Sequence, residues 1–455
     1  MMRFQALAKS IANPERMAIS YLSAYFENER VSYPVNPFQM LKDEGVLFSM
    51  MDFEGLEGVY IPASNDSDIP VVGININRRI TRQRFTAAHE LCHHFRDADR
   101  QISCPINGKK NRIEVYADQF AAALLMPLND LRHEVDIRRE GRSYISMDDV
   151  LEIADFFGVS FESCLYRVAY KLHAIDGEIE PKALKRRASD YHPERVRKSR
   201  HMSHAKLYAG LIDCYQEQLA FEPTEFARLV FQNEYIYNDS RMEGLNATFD
   251  QASEIVADLR LNMQNSKFCT AEREPYLSIA GHYEMYQDIF ANPVKDSISV
   301  FETLALNRKL FSHYPHPEFG GSTRQDNTLV LGAKFESADY HDIIPELLKL
   351  DREVKGYFEK RNDMPASEYV RQVVRTHHRI TSIHPFPDGN GRTARAFMNV
   401  QLVRAGLLPV YIKVEDKSEY VKALARADKY RDYEELYEVV FKLILRSYVD
   451  LNQAS

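Results

Sequence analysis

Apolar and polar positions alternate in two stretches of the first hundred residues. In LEGVYIP (56–62) and in VVGININ (71–77), where Val72, Ile74 and Ile76 share one side, a period of two predicts strands. The period then lengthens. RQRFTAAHELCHHF (82–95) reads as a helix, and RIEVYADQFAAALLM (112–126) as a second one, stopped by Pro127. In SMDDVLEIADFFGVSFESCLYRV (146–168), Ser146 and Asp149 form a capping box, Gly158 a C-cap and Ser160 a new N-cap. Two short helices around a tight turn give the outline of a helix-turn-helix, for which packing against the preceding elements is preferred over DNA reading. From about residue 205 onward helical patterning dominates. The exception is STRQDNTLVLGAKF (322–335), whose alternation and turn residues predict a short hairpin.

A chain of 455 residues exceeds one ordinary core, so two or three domains are expected. The apolar share of 45% and charged share of 27% are those of a soluble globular protein, with 26 Tyr and 25 Phe supplying aromatic core in the absence of Trp. A net charge of −8 argues against a surface wholly given to nucleic acid. One segment departs from this balance: PKALKRRASDYHPERVRKSR (181–200) has eight Lys and Arg against two acids and reads as a partly helical linker between domains. Cys92, Cys104, Cys164, Cys214 and Cys269 are scattered without a CxxC pair, as reduced thiols of a reducing compartment would be. No apolar leader and no run of 18 apolar residues occurs, so no membrane span is expected and the location is read as cytoplasmic.

Two constellations carry chemistry. His89, Glu90 and His93 form H-E-x-x-H in an apolar helix, and a spacing of four puts both imidazoles on one face, within reach of a single Zn²⁺. Glu90, beside that face, can take a proton from metal-bound water. Glu114 opens the next helix 21 residues after His93 and supplies a third ligand, and Asp118, one turn on, can orient a histidine. RFTAAHELCHH (84–94) followed by E-x-x-A-D-x-F-A-x-x-L-L-M-P (114–127) resembles the ImmA/IrrE group of zinc metallopeptidases, over about residues 1–175. The resemblance implies a zincin-like α+β domain, zinc on His89, His93 and Glu114, Glu90 as general base, and a repressor protein as partner. His94 is read as a surface or packing residue rather than a ligand, and Cys92 as core.

The second constellation is HPFPDGNGRTAR (384–395), which joins the end of one helix to the start of another. Asp-Gly-Asn-Gly at a helix N-terminus offers N–H groups and a dipole to phosphate. Arg392 and Arg395 can clamp outer phosphates, Asp388 can hold Mg²⁺, and His384 can deprotonate a hydroxyl. These are parts for phosphoryl or nucleotidyl transfer. The stretch also matches the HPFx[D/E]GNGRxxR signature of Fic-domain proteins. GGSTRQDNTLVLGAKFESADYHDIIPELL (320–348) resembles the Fic target-docking flap with Arg324 after its Gly-Gly turn, and residues 418–440 resemble the closing helices. The resemblance covers roughly 225–455. It implies an all-α domain with a small β-hairpin flap that transfers AMP from ATP, with Mg²⁺, to a protein hydroxyl. His384 would be the base, Asp388 the Mg²⁺ ligand, Gly389, Asn390 and Gly391 the phosphate cradle, and Arg392 and Arg395 the outer-phosphate clamp.

Many Fic proteins also carry [S/T]xxxE[G/N] on an inhibitory helix, whose Glu pairs with the second arginine. YNDSRMEGLN (237–246) supplies Glu243 and Gly244, with Asp239 where the pattern has Ser or Thr. A carboxylate on Arg395 would occupy the contact that the γ-phosphate needs. In some relatives that Glu supports removal of AMP. The expected domains are therefore 1–175 metallopeptidase-like with a helix-turn-helix-like tail, 176–222 basic linker, and 223–455 Fic with an N-terminal inhibitory helix. One alternative is a regulatory module whose first half binds or cuts a repressor and whose second half is its effector. A stress, phage-defence or toxin–antitoxin setting follows only by association with such fusions. Neither direct DNA binding nor a membrane partner is expected.

Overall fold

A computed structural model describes residues 2–65, 67–106, 111–219, 224–261, 273–291, 297–328 and 337–454. It divides into two compact units, Met1–Cys214 and Tyr215–Ser455.

The first unit opens with α1 (Met2–Ser10), α2 (Pro14–Tyr25) and α3 (Pro37–Asp43), then β1 (Leu47–Met51), β2 (Leu56–Ile61) and β3 (Val71–Asn75). There follow α4 (Ile80–Arg96), β4 (Ile102–Pro105), α5 (Arg112–Leu125) and α6 (Leu128–Arg139). The four strands form one mixed sheet in the order β1-β3-β2-β4, with β1 parallel to β3 and β2 antiparallel to both its neighbours. Helix α4 packs against β2, β3 and α5, so almost all of its surface is buried. Its polar residues therefore need partners. Arg84 shows how: its guanidinium donates to the carbonyls of Val35 (2.7 Å) and Gly158 (2.9 Å). Burial lowers the Arg84 pKa to about 9, and those carbonyls hold the charge in place of water.

Helices α7 (Met147–Phe157) and α8 (Phe161–Arg167) form the expected pair, with the Ser146–Asp149 capping box, Gly158 at φ 65° and Ser160 as the second N-cap. The basic segment 181–200 folds as α9 (Pro181–Tyr191) and α10 (Pro193–Ser199) and docks on this pair. Tyr191 stacks on Phe161 and donates to Asp148 at 2.6 Å, and Arg197 donates to Asp155 at 2.8 Å. Arg197 and Arg200 thus meet acids of α7. Helix α11 (Ala205–Leu219) contains the division between the units.

The second unit consists of α12 (Glu225–Met242), α13 (Phe249–Arg260), α14 (Arg273–Ala291), α15 (Glu302–Leu310), α16 (Ile343–Glu359), α17 (Ala366–Ile383), α18 (Asn390–Arg404), α19 (Lys417–Tyr430) and α20 (Glu434–Ala454). Helix α18 is its centre, packed by α14, α15 and α17 and buried at nearly every position. A helix enclosed on all sides need not show an amphipathic stripe. Among the described residues this unit has helices and no strand. Half of the expected hairpin at 322–335 lies outside them, since residues 329–336 are not described, and residues 322–328 form no strand. Among the described residues no helix is long and apolar enough to cross a membrane.

Candidate functional sites

In the first unit, α4 carries His89 and His93 one turn apart, and their Nε2 atoms face each other at 3.0 Å. Each ring is fixed from behind: His89 Nδ1 donates to Asp118 at 3.0 Å and His93 Nδ1 to Asp97 at 2.9 Å. With Nδ1 of each ring committed to a carboxylate, the two Nε2 atoms turn toward each other, a contact that needs a proton or a metal cation between them. Glu114, placed by the Asn111 cap at the start of α5, brings its oxygens to 3.2 Å from His89 Nε2 and 3.7 Å from His93 Nε2. Burial opposes charge on His89, but hydrogen bonds to Asp118 and Glu114 outweigh it and raise its pKa to about 9. A setting that favours a proton there favours Zn²⁺ by the same electrostatics, so the donor set fits that ion.

Glu90 is fully buried, with no well-formed hydrogen bond to either carboxylate oxygen among the described residues. Burial raises its pKa. Its approach to the sheet depends on Gly58, where a Cβ would stand 2.8 Å from Glu90 Oε1. His94 turns away into the core, 3.0 Å from Gln5 Nε2 and 3.3 Å from the Tyr60 hydroxyl, and burial lowers its pKa to about 4. Cys92 is buried as well. Two neighbours were absent from the sequence expectations. Asp97, at i+4 from His93, has a spacing that could have found it. Cys104, whose Sγ lies 3.4 Å from His89 Nε2, comes from β4 and has no local signal.

In the second unit the loop 384–389 joins α17 to α18. His384 ends α17 in the left-handed region at φ 54°, and its carbonyl accepts from Arg324 Nε at 2.8 Å. Arg324 also donates from its backbone N to Pro385 O at 2.9 Å, which ties the base of the flap segment to the loop. Burial and the Arg324 charge lower the His384 pKa, leaving the imidazole neutral and able to accept a proton. Gly389 caps α18 at φ 76°, where a Cβ would stand 2.7 Å from Leu310 Cδ2, so a side chain would press on the Leu310, Phe311 and Asn307 side chains. The Asn390 side chain is engaged with the backbone of Phe386 in both directions, at 2.8 and 2.9 Å. Only its main chain is left to face a ligand. Asn307 of α15, which had no signal in the sequence, donates to Asp388 O and Thr393 Oγ1, each at 3.1 Å.

The first N–H groups of α18 have no acceptor in their own helix. Arg392 stands beside them over the Phe311 ring, bonded to Asp388 Oδ1 at 3.1 Å. Asp388 remains 71% exposed, so its carboxylate can also meet a hard cation, and Mg²⁺ fits. Arg395 is enclosed differently. Its Nη2 donates to Glu243 Oε1 at 2.7 Å, and its Nε donates to Asp239 Oδ1. Asp239 is buried and lies 3.1 Å from His282 Nε2 through its other oxygen. Burial would raise the Asp239 pKa, but Arg395 and His282 more than reverse this and hold it far below the usual carboxylate range.

Comparison with known proteins follows the same division. Residues 42–169 match the peptidase M78 family model, the IrrE N-terminal-like domain, and residues 297–402 match the Fic/DOC family model. A protein adenylyltransferase Fic of Nematostella vectensis is 27% identical over 203 residues, 43% of this chain and 43% of the relative. One of Drosophila ananassae is 31% identical over 135 residues, 30% of this chain and 26% of the relative. The chain thus spans less than half the length of these curated relatives. The solved Fic-1 of C. elegans (aa134–508) is 16% identical with a TM-score of 0.47, covering 74% of this chain and 92% of that one. The chain thus carries a segment that matches the IrrE N-terminal-like domain and, after it, a helical segment that matches the Fic/DOC family model.

Proposed function

We propose that the second unit transfers AMP from ATP to a protein hydroxyl and that Glu243 holds this activity back in cis. The observation that carries this reading is the double engagement of Arg395 by Glu243 and Asp239, one turn after Arg392 on the same helix. In the active state the α18 amides, Arg392 and a released Arg395 bind the phosphates. Mg²⁺ held by Asp388 would offset their charge. The attacking hydroxyl oxygen bonds to the α-phosphorus, His384 takes its proton, and pyrophosphate leaves. While Glu243 sits on Arg395 the γ-phosphate lacks its clamp, and the α-phosphorus is not presented in line. Fic relatives named as protein adenylyltransferases support the same reading. The test is protein labelling by the Glu243→Gly variant with α-labelled and, separately, γ-labelled ATP. Retention of the α-label alone is expected. γ-Label on protein, or no label with either donor, would contradict the assignment.

A second reading concerns the first unit. His89, His93 and Glu114 would hold Zn²⁺, and Glu90 would act as base for peptide hydrolysis, with a repressor as target. Two facing Nε2 atoms at 3.0 Å support it. Elemental analysis of the purified chain tests it: one zinc per chain is expected, and none in His89→Ala/His93→Ala. An equal zinc content in both would contradict it.

A further inference from the structure

The metal cluster has one donor more than the expected three. One donor atom each from His89, His93, Glu114 and Cys104 lies within 4.8 Å of all the others. We propose that Cys104 is a fourth zinc ligand and that the first unit rests with its metal closed to water. The proposal rests on the zinc reading above and adds to it.

Geometry carries it. A tetrahedral zinc with nitrogen, oxygen and sulfur donors separates its ligand atoms by roughly 3.3–3.8 Å, given bond lengths of about 2.0–2.3 Å. His89 Nε2 already stands 3.0 Å from His93 Nε2, 3.2 Å from Glu114 and 3.4 Å from Cys104 Sγ. Small shifts complete the tetrahedron, and none of the four has to cross the site.

The placement of the thiol has a cause in the sheet. β4 pairs with β2 through a register shift between Leu56 and Gly58, so that Glu57 is the extra residue and Gly58 faces Cys104. A bulge of this kind re-aims the neighbouring side chain. Along β4 only Cys104 is buried, on the side of α4, while Ser103 and Pro105 are exposed. Thr86 and Glu90 fill the space that Gly58 leaves on that same side.

A catalytic zinc keeps one position open for water, whereas a structural one is filled by protein donors. Bound as a thiolate, Cys104 would fill the position that water would otherwise hold, and its thiol proton would pass to solvent. Glu90 then has no water to deprotonate. Hydrolysis requires the reverse: Cys104 takes back a proton and withdraws, and water occupies its place. β4 is a four-residue strand at one end of the sheet order, so withdrawal breaks only one strand pairing.

The test uses the full chain with Co²⁺ in place of zinc, and X-ray absorption at the zinc edge on the zinc form. Thiolate-to-cobalt charge transfer in the near ultraviolet is expected in wild type and Cys92→Ser, and its loss in Cys104→Ser. The zinc edge of wild type, which needs no variant, should show one sulfur at about 2.3 Å. Bound metal with no sulfur signal would overturn the role of Cys104 while leaving the three-ligand site intact. A sulfur signal that persists in Cys104→Ser would overturn it too. No bound metal in wild type would remove both this inference and the zinc reading.

Discussion

The carboxylate of Asp239 is hydrogen-bonded to Nε of Arg395 in a contact closed to solvent on both sides, with side-chain exposures of 5% and 7%. Glu243, on the same guanidinium, is 38% exposed. The two acids therefore do different work. Asp239 with His282 is part of the core and fixes where Arg395 sits. Glu243 is the partner that, in the proposed reading, gives way to a phosphate.

Stability should separate the two. Asp239→Ala leaves a buried arginine short of its partner and is expected to cost about 3–5 kcal/mol. Glu243→Gly removes a half-exposed pair and should cost about 1 kcal/mol or less. Urea denaturation of the full chain measures both. The Asp239 pKa is depressed on folding, so its contribution is complete above the ordinary Asp value near 3.9 and is lost as pH falls below it. Asp239→Asn should flatten the acid side of the stability–pH curve.

The pH dependence of transfer reports His384. Burial and Arg324 depress its pKa, so the base form persists below the ordinary His value of about 6.5. In the Glu243→Gly variant the rate at ATP well below saturation, which reports the free enzyme, should fall on the acid side with a midpoint below that value. A midpoint at or above about 6.5 would contradict the neutral-imidazole assignment.

The glycine loop should tolerate no side chain at its cap. At Gly389, φ is 76° and an added Cβ meets Leu310 at 2.7 Å, so Gly389→Ala should lose transfer in the Glu243→Gly background. The backbone strain alone is about 1–2 kcal/mol. Thermal melting and the labelling assay together distinguish a distorted loop from an unfolded domain.

Much of this was legible because local rules and global packing agree. H-E-x-x-H and Glu114 are placed by helix spacing and an Asn cap, and the glycine loop is bounded by two helices whose ends the sequence marks. β1 and β4 were not legible. LFSMM (47–51) lacks β-branched residues, and ISCP (102–105) is four residues long and ends in proline, which only an edge strand accepts. Cys104 was missed with its strand, since pairing across 46 residues of chain, from Gly58 to Cys104, leaves no local pattern. The role of Asp239 was hidden for another reason. It replaces the expected Ser or Thr and looked like a gap in a motif, whereas α12 turns it onto the arginine that Glu243 also binds.

The carboxylates behind the histidines can be tested without any substrate. Asp97→Asn and Asp118→Asn keep shape but weaken the hold on each ring. Each should lower zinc affinity by about 10–100-fold in a chelator competition. An unchanged affinity in both would show that the rings do not depend on these partners.

The most direct measurement is the initial rate of AMP transfer from α-labelled ATP by wild type, Glu243→Gly and Glu243→Gly/His384→Ala. Release of Arg395 should raise the rate about 100-fold in the single variant, the scale of one charge-stabilising contact in a transition state. The double variant should return it to background. Equal rates in wild type and Glu243→Gly would contradict the claim that Glu243 restrains the site through Arg395.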